Sequence, residues 1–226
     1  MDDLIGEERS TTTNSRNVAG TLLRLLGILC MLAAIGLTVY NWWDSERAGK
    51  ISDEIVDVFK EKMDPVRESD DDPEMSGNDE EARYREMPVL VIDGYEYIGL
   101  LEIPSLSILL PVMAEWDYDR LKIAPCRYSG SYFTNDLVIC AHNYVRHFNP
   151  VRTISMGADV YFTNPKGLKL HYVADNIQTI QPTSVEEMVD NSIDGAPGER
   201  QWDLTLFTCN LGGATRCAVR CHRVDR

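Results

Sequence analysis

The residues best suited to chemistry in this sequence are a cysteine, a histidine and an arginine beside short apolar segments. Cys209 follows the segment 204–208, which reads as a strand, and Arg216 begins the next predicted strand. His142 follows the apolar run 137–141. A thiolate is a nucleophile that needs only a base or a nearby cation to activate it. Histidine can be that base, and arginine can stabilise the oxyanion that forms when a thiolate attacks a carbonyl.

Other histidines compete with His142 for the role of base. His147 lies in the loop that follows and is interpreted as a surface residue. His171 stands in the middle of a predicted strand between apolar residues, where a packing role is expected, and His222 lies near the C-terminus. We favour His142 because it stands where a buried strand opens into a loop, a common place for a site residue on a rigid scaffold.

Two arginines compete for the role of cation. Arg216 and Arg220 alternate on one face of the last predicted strand. They are separated by about 13 Å of strand rise, so only one of them is expected to reach Cys209.

The pattern Thr-Leu-x-Thr-Cys at 205–209, followed by a loop and Arg216, resembles the sortases, the membrane-anchored cysteine transpeptidases of Gram-positive bacteria. The similarity covers residues 97–226, and its other marks are Gly99–Pro104, Tyr128–Gly130, Cys140-Ala-His142 and Phe148–Pro150. It is strongest to class B or its clostridial relatives, with class D a near alternative. The loop before Arg216 is short compared with many sortases.

The resemblance implies a role for each residue. Cys209 is the nucleophile that cleaves the C-terminal sorting signal of a secreted protein, His142 is the acid/base, and Arg216, which opens the strand after the cysteine loop, stabilises the oxyanion. The acyl group passes through a thioester to an amine of a peptidoglycan precursor or of a pilin. No metal is expected, and the sequence has no Gly-rich phosphate loop, so no organic cofactor is expected either.

Two other classes of function stay open at this stage. One is a membrane-anchored cysteine peptidase that hydrolyses its substrate without transfer. The other is a non-catalytic surface module in which Cys209, Cys217, Cys221 and His222 bind zinc. Their spacing lacks the usual Cys-x(2–4)-Cys start of a zinc site. Small buried hydrophobes are the expected role of Cys126, Cys140, Cys217 and Cys221.

An N-terminal segment predicts a membrane anchor. The 19 residues from Leu25 to Trp43 carry no charge, close to the about 20 that cross a bilayer. Tyr40 and two tryptophans stand at its end, as in an aromatic belt, and Arg24 marks the inner edge. A cleaved signal peptide is the alternative, but the apolar run is too long and lacks small residues at a cleavage site. We therefore expect a single-pass protein of the cell membrane with an extracellular catalytic domain.

Acidity is concentrated between the anchor and the C-terminal part of the chain. Residues 44–96 hold 18 Asp and Glu against 7 Lys and Arg, whereas residues 97–226 hold 14 against 12. This balance argues against nucleic-acid binding, which needs a basic footprint. Residues 44–63 have a helical spacing of apolar residues, with Ser52 as an N-cap. They form either a helix packed on the outer domain or a solvated extension of the anchor.

The domain organisation follows from these patterns. Residues 1–20 read as a cytoplasmic tail, 21–43 as the transmembrane helix, 44–88 as an acidic helical or disordered linker, and 89–226 as the catalytic domain. Many short strands and few helices over the last 130 residues predict a mainly β fold, a closed barrel or sandwich. The resemblance implies the closed sortase-type β-barrel.

Overall fold

The computed structural model describes residues 9–68, 84–190 and 202–224, with side chains for 18–66, 84–190 and 202–224. The chain divides into two compact units, Met1–Asp44 and Ser45–Arg226. The helices are α1 (Arg9–Lys62) and α2 (Val185–Val189). The strands are β1 (Arg67–Glu68), β2 (Leu90–Ile92), β3 (Tyr95–Ile103), β4 (Ile108–Met113), β5 (Cys126–Ser129), β6 (Leu137–Ala141), β7 (Asp159–Thr163), β8 (Leu168–Ile180), β9 (Leu204–Cys209) and β10 (Arg216–Arg223).

Helix α1 contains the apolar segment predicted from the sequence. From Val18 onward it is long and apolar enough to cross a membrane, and its most apolar part is exposed. The helix stops just before Pro65, which cannot continue a helix. Lys60 and Lys62 lie in its last turn, where positive charge is favourable.

Eight strands form a closed barrel in the second unit. Neighbouring strands follow the order β8–β10–β9–β6–β5–β4–β3, and β7 closes the ring because it pairs with both β3 and β8. Strands β6 and β9 are parallel, whereas β9 and β10 are antiparallel. The two remaining strands extend the sheet: β1 pairs with β8 and β2 with β3. Of the two architectures that the strand pattern left open, the closed barrel is the one that forms, as the resemblance implied.

Apolar side chains fill two layers, one inside the barrel and one outside it. Alternate residues of each strand point inward, so Leu206 and Val219 lie in the barrel interior. The residues between them point outward, and Phe207 and Ala218 lie in a second cluster that includes Phe59 of α1. Residues 45–62 of α1 therefore pack on the barrel and are part of the second compact unit.

Most of the strands were predicted, and several details were wrong. Ser52 is not an N-cap, because it is fully buried inside α1. His147 is not a surface residue, because none of its surface is exposed. The short strands β2 and β5 were not predicted. Of the predicted linker 44–88, residues 67–68 form β1, and residues 69–83 lie outside the described residues.

Candidate active site

Cys209 and Arg216 are directly opposite each other. In the antiparallel ladder of β9 and β10, Arg216 is the register partner of Cys209. Directly opposite residues in such a ladder have Cα atoms about 4.5–5.5 Å apart. Both side chains are half-buried. The arginine therefore stands next to the thiol without any contribution from a long loop.

His142 reaches the same place from the neighbouring strand. Ala141 is the register partner of Thr208 in the parallel pair β6–β9, so the next residues, His142 and Cys209, leave their strands at the same edge. The Thr208 hydroxyl donates a hydrogen bond to the Ala141 carbonyl at 2.9 Å and ties the two strand ends together. Adjacent strands lie about 4.8 Å apart.

Strand alternation assigns Cys209 and Arg216 to the outer face of the barrel, and His142 lies one residue beyond the end of β6. Cys140 and Phe207 belong to the outer apolar cluster, and residues two positions apart on a strand point to the same side. His142 follows Cys140 by two positions and Cys209 follows Phe207 by two. The backbone positions of Cys209, His142 and Arg216 thus lie at one edge of three adjacent strands, β6, β9 and β10.

The loop between Cys209 and Arg216 is a tight hairpin. Asn210 N–H donates to the Thr215 carbonyl at 2.9 Å, and Gly213 N–H donates to the Asn210 carbonyl at 2.9 Å. Gly212 and Gly213 have φ of +80° and +73°, a conformation that favours glycine. Arg216 Nη1 donates to the Gly213 carbonyl at 3.0 Å. The guanidinium is therefore held at the mouth of the hairpin.

Cys209 is the thiol best suited to act as a nucleophile. Of the six cysteines, four are buried in the barrel unit and Cys30 lies in the apolar part of α1. Burial raises the pKa of the Cys140 thiol to about 12, and it also raises the pKa of Cys126 and of Cys221. These buried thiols are small core residues, as the sequence predicted. Only Cys209 is half-buried.

Arg220 has a different role from Arg216. Its side chain is 3% exposed, and Nη1 donates to the Met188 carbonyl at 3.2 Å and to Thr205 Oγ1 at 2.9 Å. Nη2 donates to the Glu187 carbonyl. The guanidinium thus binds the carbonyls at the end of α2 and fixes that helix to the barrel, so it is engaged elsewhere than at Cys209.

The remaining histidines are engaged elsewhere. His171 Nε2 lies 2.8 Å from Asp159 Oδ1, and its ring stacks on Tyr161, in agreement with the packing role predicted for it. His222 Nε2 lies 3.2 Å from Asp175 Oδ2. Neither residue lies at the edge that carries Cys209.

The four residues of the zinc alternative do not converge. Cys217 and Cys221 point into the barrel interior, whereas Cys209 lies on the outer side of the same sheet. Within residues 9–68, 84–190 and 202–224, no three His, Cys, Asp or Glu side chains form a group that could hold a metal ion.

A row of aromatic side chains beside the site was not predicted from the sequence. The rings of Phe207 and Tyr128 are 5.1 Å apart, and those of Tyr128 and Trp116 are 5.2 Å apart. Tyr118 continues the row and is 74% exposed. These residues come from separate segments that only the barrel brings together, so no local pattern reveals them.

Comparison with known proteins identifies the family. A family model described as the sortase domain matches residues 101–224, more than half of the 226-residue chain. The chain belongs to the sortase family. Sortases are cysteine transpeptidases, and this sortase is therefore an enzyme of that type. No curated protein sequence matches the chain.

Solved sortase structures have the same fold. Sortase C-1 from Actinomyces oris is 18% identical, with 67% of this chain and 96% of that chain covered and a TM-score of 0.50. A sortase D5 transpeptidase from Clostridium perfringens is 16% identical, with 77% and 99% covered and a TM-score of 0.51. Sortase C1 from Streptococcus suis is 28% identical, with 57% and 74% covered and a TM-score of 0.46.

The family match does not identify the class of this sortase. The three structures named above are C-type and D-type sortases. The similarity to class B that the sequence indicates stays a prediction.

Proposed function

We propose that Cys209, His142 and Arg216 are the catalytic residues of this sortase, and that it transfers the acyl part of a sorting signal to an amine. The observation that carries the proposal is the register of β9 and β10, in which Arg216 is the partner of Cys209. The parallel register of β6 and β9 adds His142 at the same edge.

The first half of the reaction forms a thioester. The Cys209 thiolate attacks the carbonyl carbon after the threonine of the sorting signal, and the carbonyl electron pair moves to oxygen. Arg216 and backbone N–H groups stabilise this oxyanion. When it collapses, the C–N bond breaks and protonated His142 gives its proton to the leaving amine.

The second half of the reaction releases the product. An acceptor amine attacks the thioester carbonyl, and neutral His142 accepts the proton of the amine. The C–S bond then breaks and the thiolate is restored. By family resemblance, the acceptor is the amine of a peptidoglycan precursor or of a pilin lysine.

The membrane anchor holds the enzyme at the membrane surface. We propose that residues 21–43 cross the cell membrane once, with residues 1–20 in the cytoplasm and the barrel outside. The apolar part of α1 meets the length requirement for this. Enzyme, secreted substrate and wall precursor are then held at one membrane face, which raises their effective concentration.

The test uses the full chain in detergent micelles with a panel of sorting-signal peptides, each with and without an amine acceptor. A transpeptidase shifts its product from the free acid to the amine adduct as the acceptor concentration rises. Cys209→Ala should give neither product. A wild-type product ratio that ignores the acceptor would favour the hydrolase alternative, and product from Cys209→Ala would rule out the mechanism.

A further inference from the structure

The loop that carries His142 is bound by helix α1. We define the His142 loop as residues 142–149, which follow β6. Three consecutive residues of this loop bond to three residues of the helix: Val145 to Ser45, Arg146 to Asp53 and His147 to Ser52. The helix residues belong to the second compact unit, which begins at Ser45.

One face of α1 carries the residues that contact the His142 loop. Ser45, Gly49, Ser52 and Asp53 follow a spacing of four, three and one residues, which puts them on one side of a helix. A Cβ atom added at Gly49 would lie 2.7 Å from the Cβ and Cγ atoms of Arg146. The absence of a side chain at residue 49 therefore lets the loop approach the helix closely.

The contact between Ser52 and His147 is a buried polar pair. Both residues are 0% exposed, and Ser52 Oγ lies 3.2 Å from His147 Nε2. The Ser52 hydroxyl donates its only hydrogen to the Ile123 carbonyl at 3.0 Å. Its oxygen therefore accepts from Nε2–H, and the histidine ring is the donor. Nδ1 of the same ring is buried without a hydrogen-bond partner among the described residues. Nε2 therefore carries the hydrogen bond that ties the ring to Ser52, and its geometry is specific because a buried polar group without a partner is costly.

The charge state of His147 agrees with this hydrogen-bond order. Burial, which outweighs an opposing backbone contact with Ala48, lowers the pKa of His147 to about 4. The ring is neutral at neutral pH and has a single N–H, which is used on Ser52. His147 is thus a fixed structural donor and is unsuited to exchange protons with a substrate.

Contacts within the His142 loop connect the position of His147 to that of His142. Phe148 is fully buried in the barrel interior, and its N–H donates to the His142 carbonyl at 3.2 Å. The ring of Tyr144 lies between the two histidines, with centroids 5.0 Å from His142 and 5.5 Å from His147. A change in the position of His147 is therefore transmitted to the backbone of His142 within a few residues.

We propose that Ser52 and His147 are positioning residues, through which helix α1 holds the His142 loop in the geometry needed for proton transfer. This inference rests on the proposed function in that it takes His142 as the acid/base. It gives the helix that carries the membrane anchor a direct part in forming the active site.

The test compares variants that remove the buried pair with variants that keep it. Ser52→Ala removes the acceptor and His147→Phe removes the donor. Ser52→Thr keeps a hydroxyl, and His147→Gln keeps an N–H donor at a similar distance from the backbone. The matched control is Tyr132→Phe, which removes a different buried side-chain hydrogen bond, the one of 2.9 Å to Asn164.

Kinetics on the full chain in detergent provide the first measurement. Because proton transfer is sensitive to small displacements, Ser52→Ala and His147→Phe should lower kcat about tenfold or more, with KM nearly unchanged. Ser52→Thr, His147→Gln and Tyr132→Phe should keep kcat close to the wild-type value. Wild-type kcat in both disruptive variants would overturn the inference.

Hydrogen exchange followed by mass spectrometry provides the second measurement, which does not depend on activity. Peptides covering 142–149 should exchange several times faster in Ser52→Ala and His147→Phe than in the wild type, while peptides from β3 and β4 stay protected. Unchanged exchange in the loop, or an equal rise throughout the barrel, would overturn the inference. If wild-type protein never transfers an acyl group, the proposed function fails, and the exchange result alone decides whether α1 holds the loop.

Discussion

Arg216 lies directly opposite Cys209 in the ladder of β9 and β10. The register fixes this relationship, so the short connection between the two residues does not move the guanidinium away from the thiol. In a β-hairpin, a shorter loop lets the two strands pair closer to the turn, so the residues that flank the loop still face each other. The loop before Arg216, which is short compared with many sortases, therefore does not displace Arg216 from its position opposite Cys209.

Substitution of Arg216 should reduce catalysis without reducing stability. Arg216→Ala should slow acyl-enzyme formation about 10²–10³-fold, the usual loss when one oxyanion donor is removed. Because the side chain is half-buried and its hydrogen bonds go to carbonyls of the hairpin, the Tm should fall by less than about 2 °C. Single-turnover kinetics and thermal unfolding check the two parts. Wild-type acylation by Arg216→Ala would exclude Arg216 from the mechanism.

Substitution of Arg220 should mainly reduce the stability of the protein. Arg220→Ala leaves the buried acceptors at Met188 and Thr205 without their donor, at about 1–3 kcal/mol for each buried group. We expect at least about 3 kcal/mol less stability, or a Tm lower by roughly 6–12 °C. Thermal unfolding of the full chain measures this. A Tm equal to that of the wild type would show that the bonds to the end of α2 do not contribute.

Gly49→Ala should destabilise the protein although alanine is the better helix former. The new Cβ would meet the Arg146 stem at 2.7 Å, and overpacking of this kind costs about 1–3 kcal/mol, against about 1 kcal/mol gained in helix propensity. Denaturant titration of the full chain measures the balance.

Gly36→Ala is the matched control for Gly49→Ala, because it lies in the same helix and an added Cβ meets nothing within 4 Å. This control should not lower the stability of the barrel. If Gly49→Ala proved as stable as Gly36→Ala, the close approach of α1 to the His142 loop would be wrong.

His147 should make stability depend on pH. The pKa of this ring is about 4 in the folded protein, mainly because of burial, against its ordinary value of 6.5. Between these values the unfolded chain binds more protons, so stability rises with pH. The contribution is complete above about pH 6.5 and is lost as the pH falls towards 4, by at most about 3 kcal/mol.

The comparison with His147→Gln isolates this effect from the other groups that titrate. Those that face the ring include His142 and Arg146, whose positive charges also disfavour its protonation. Denaturant unfolding of both proteins between pH 4 and 7 should give a smaller loss for His147→Gln. Parallel pH profiles for the two proteins would contradict the burial of a neutral ring.

Thiol labelling should distinguish Cys209 from the other cysteines. In a Cys30→Ala background, a charged alkylating reagent should label one thiol in the native protein and all five in denaturant. The reason is that Cys126, Cys140, Cys217 and Cys221 are buried and the pKa of each thiol is raised by burial. Native labelling of a second cysteine at the same rate would contradict the packing described for the barrel.

Local patterns in the sequence predict the strands of a mainly β fold, and the resemblance to sortases adds the closed barrel. Alternating apolar residues and turn signals define the strands, and the alternation also assigns Arg216 and Arg220 to one face. It does not reveal that Arg220 is used to hold α2, because its acceptors lie at least 30 residues away in sequence, apart from Thr205.

Local sequence patterns also do not reveal the role of residues 45–62 of α1, because the residues that bond to each other are far apart in sequence. Ser52 is 95 residues from His147, and each stands among polar neighbours that suggest exposure. Ser52 is a frequent N-cap type, and a histidine in a polar loop is commonly exposed. Only the tertiary packing of α1 on the barrel buries both side chains, so the sequence interpretation of each was wrong.

Trapping the acyl-enzyme tests whether Cys209 is the nucleophile. Full-length protein is mixed with a cognate sorting-signal peptide without an acceptor amine, quenched in acid, digested and analysed by mass spectrometry. We expect a thioester on the peptide that contains Cys209, which disappears when an amine is added as the amide adduct forms. Turnover of the peptide with the acyl group on another residue, or with no covalent enzyme species at any time, would contradict this role of Cys209.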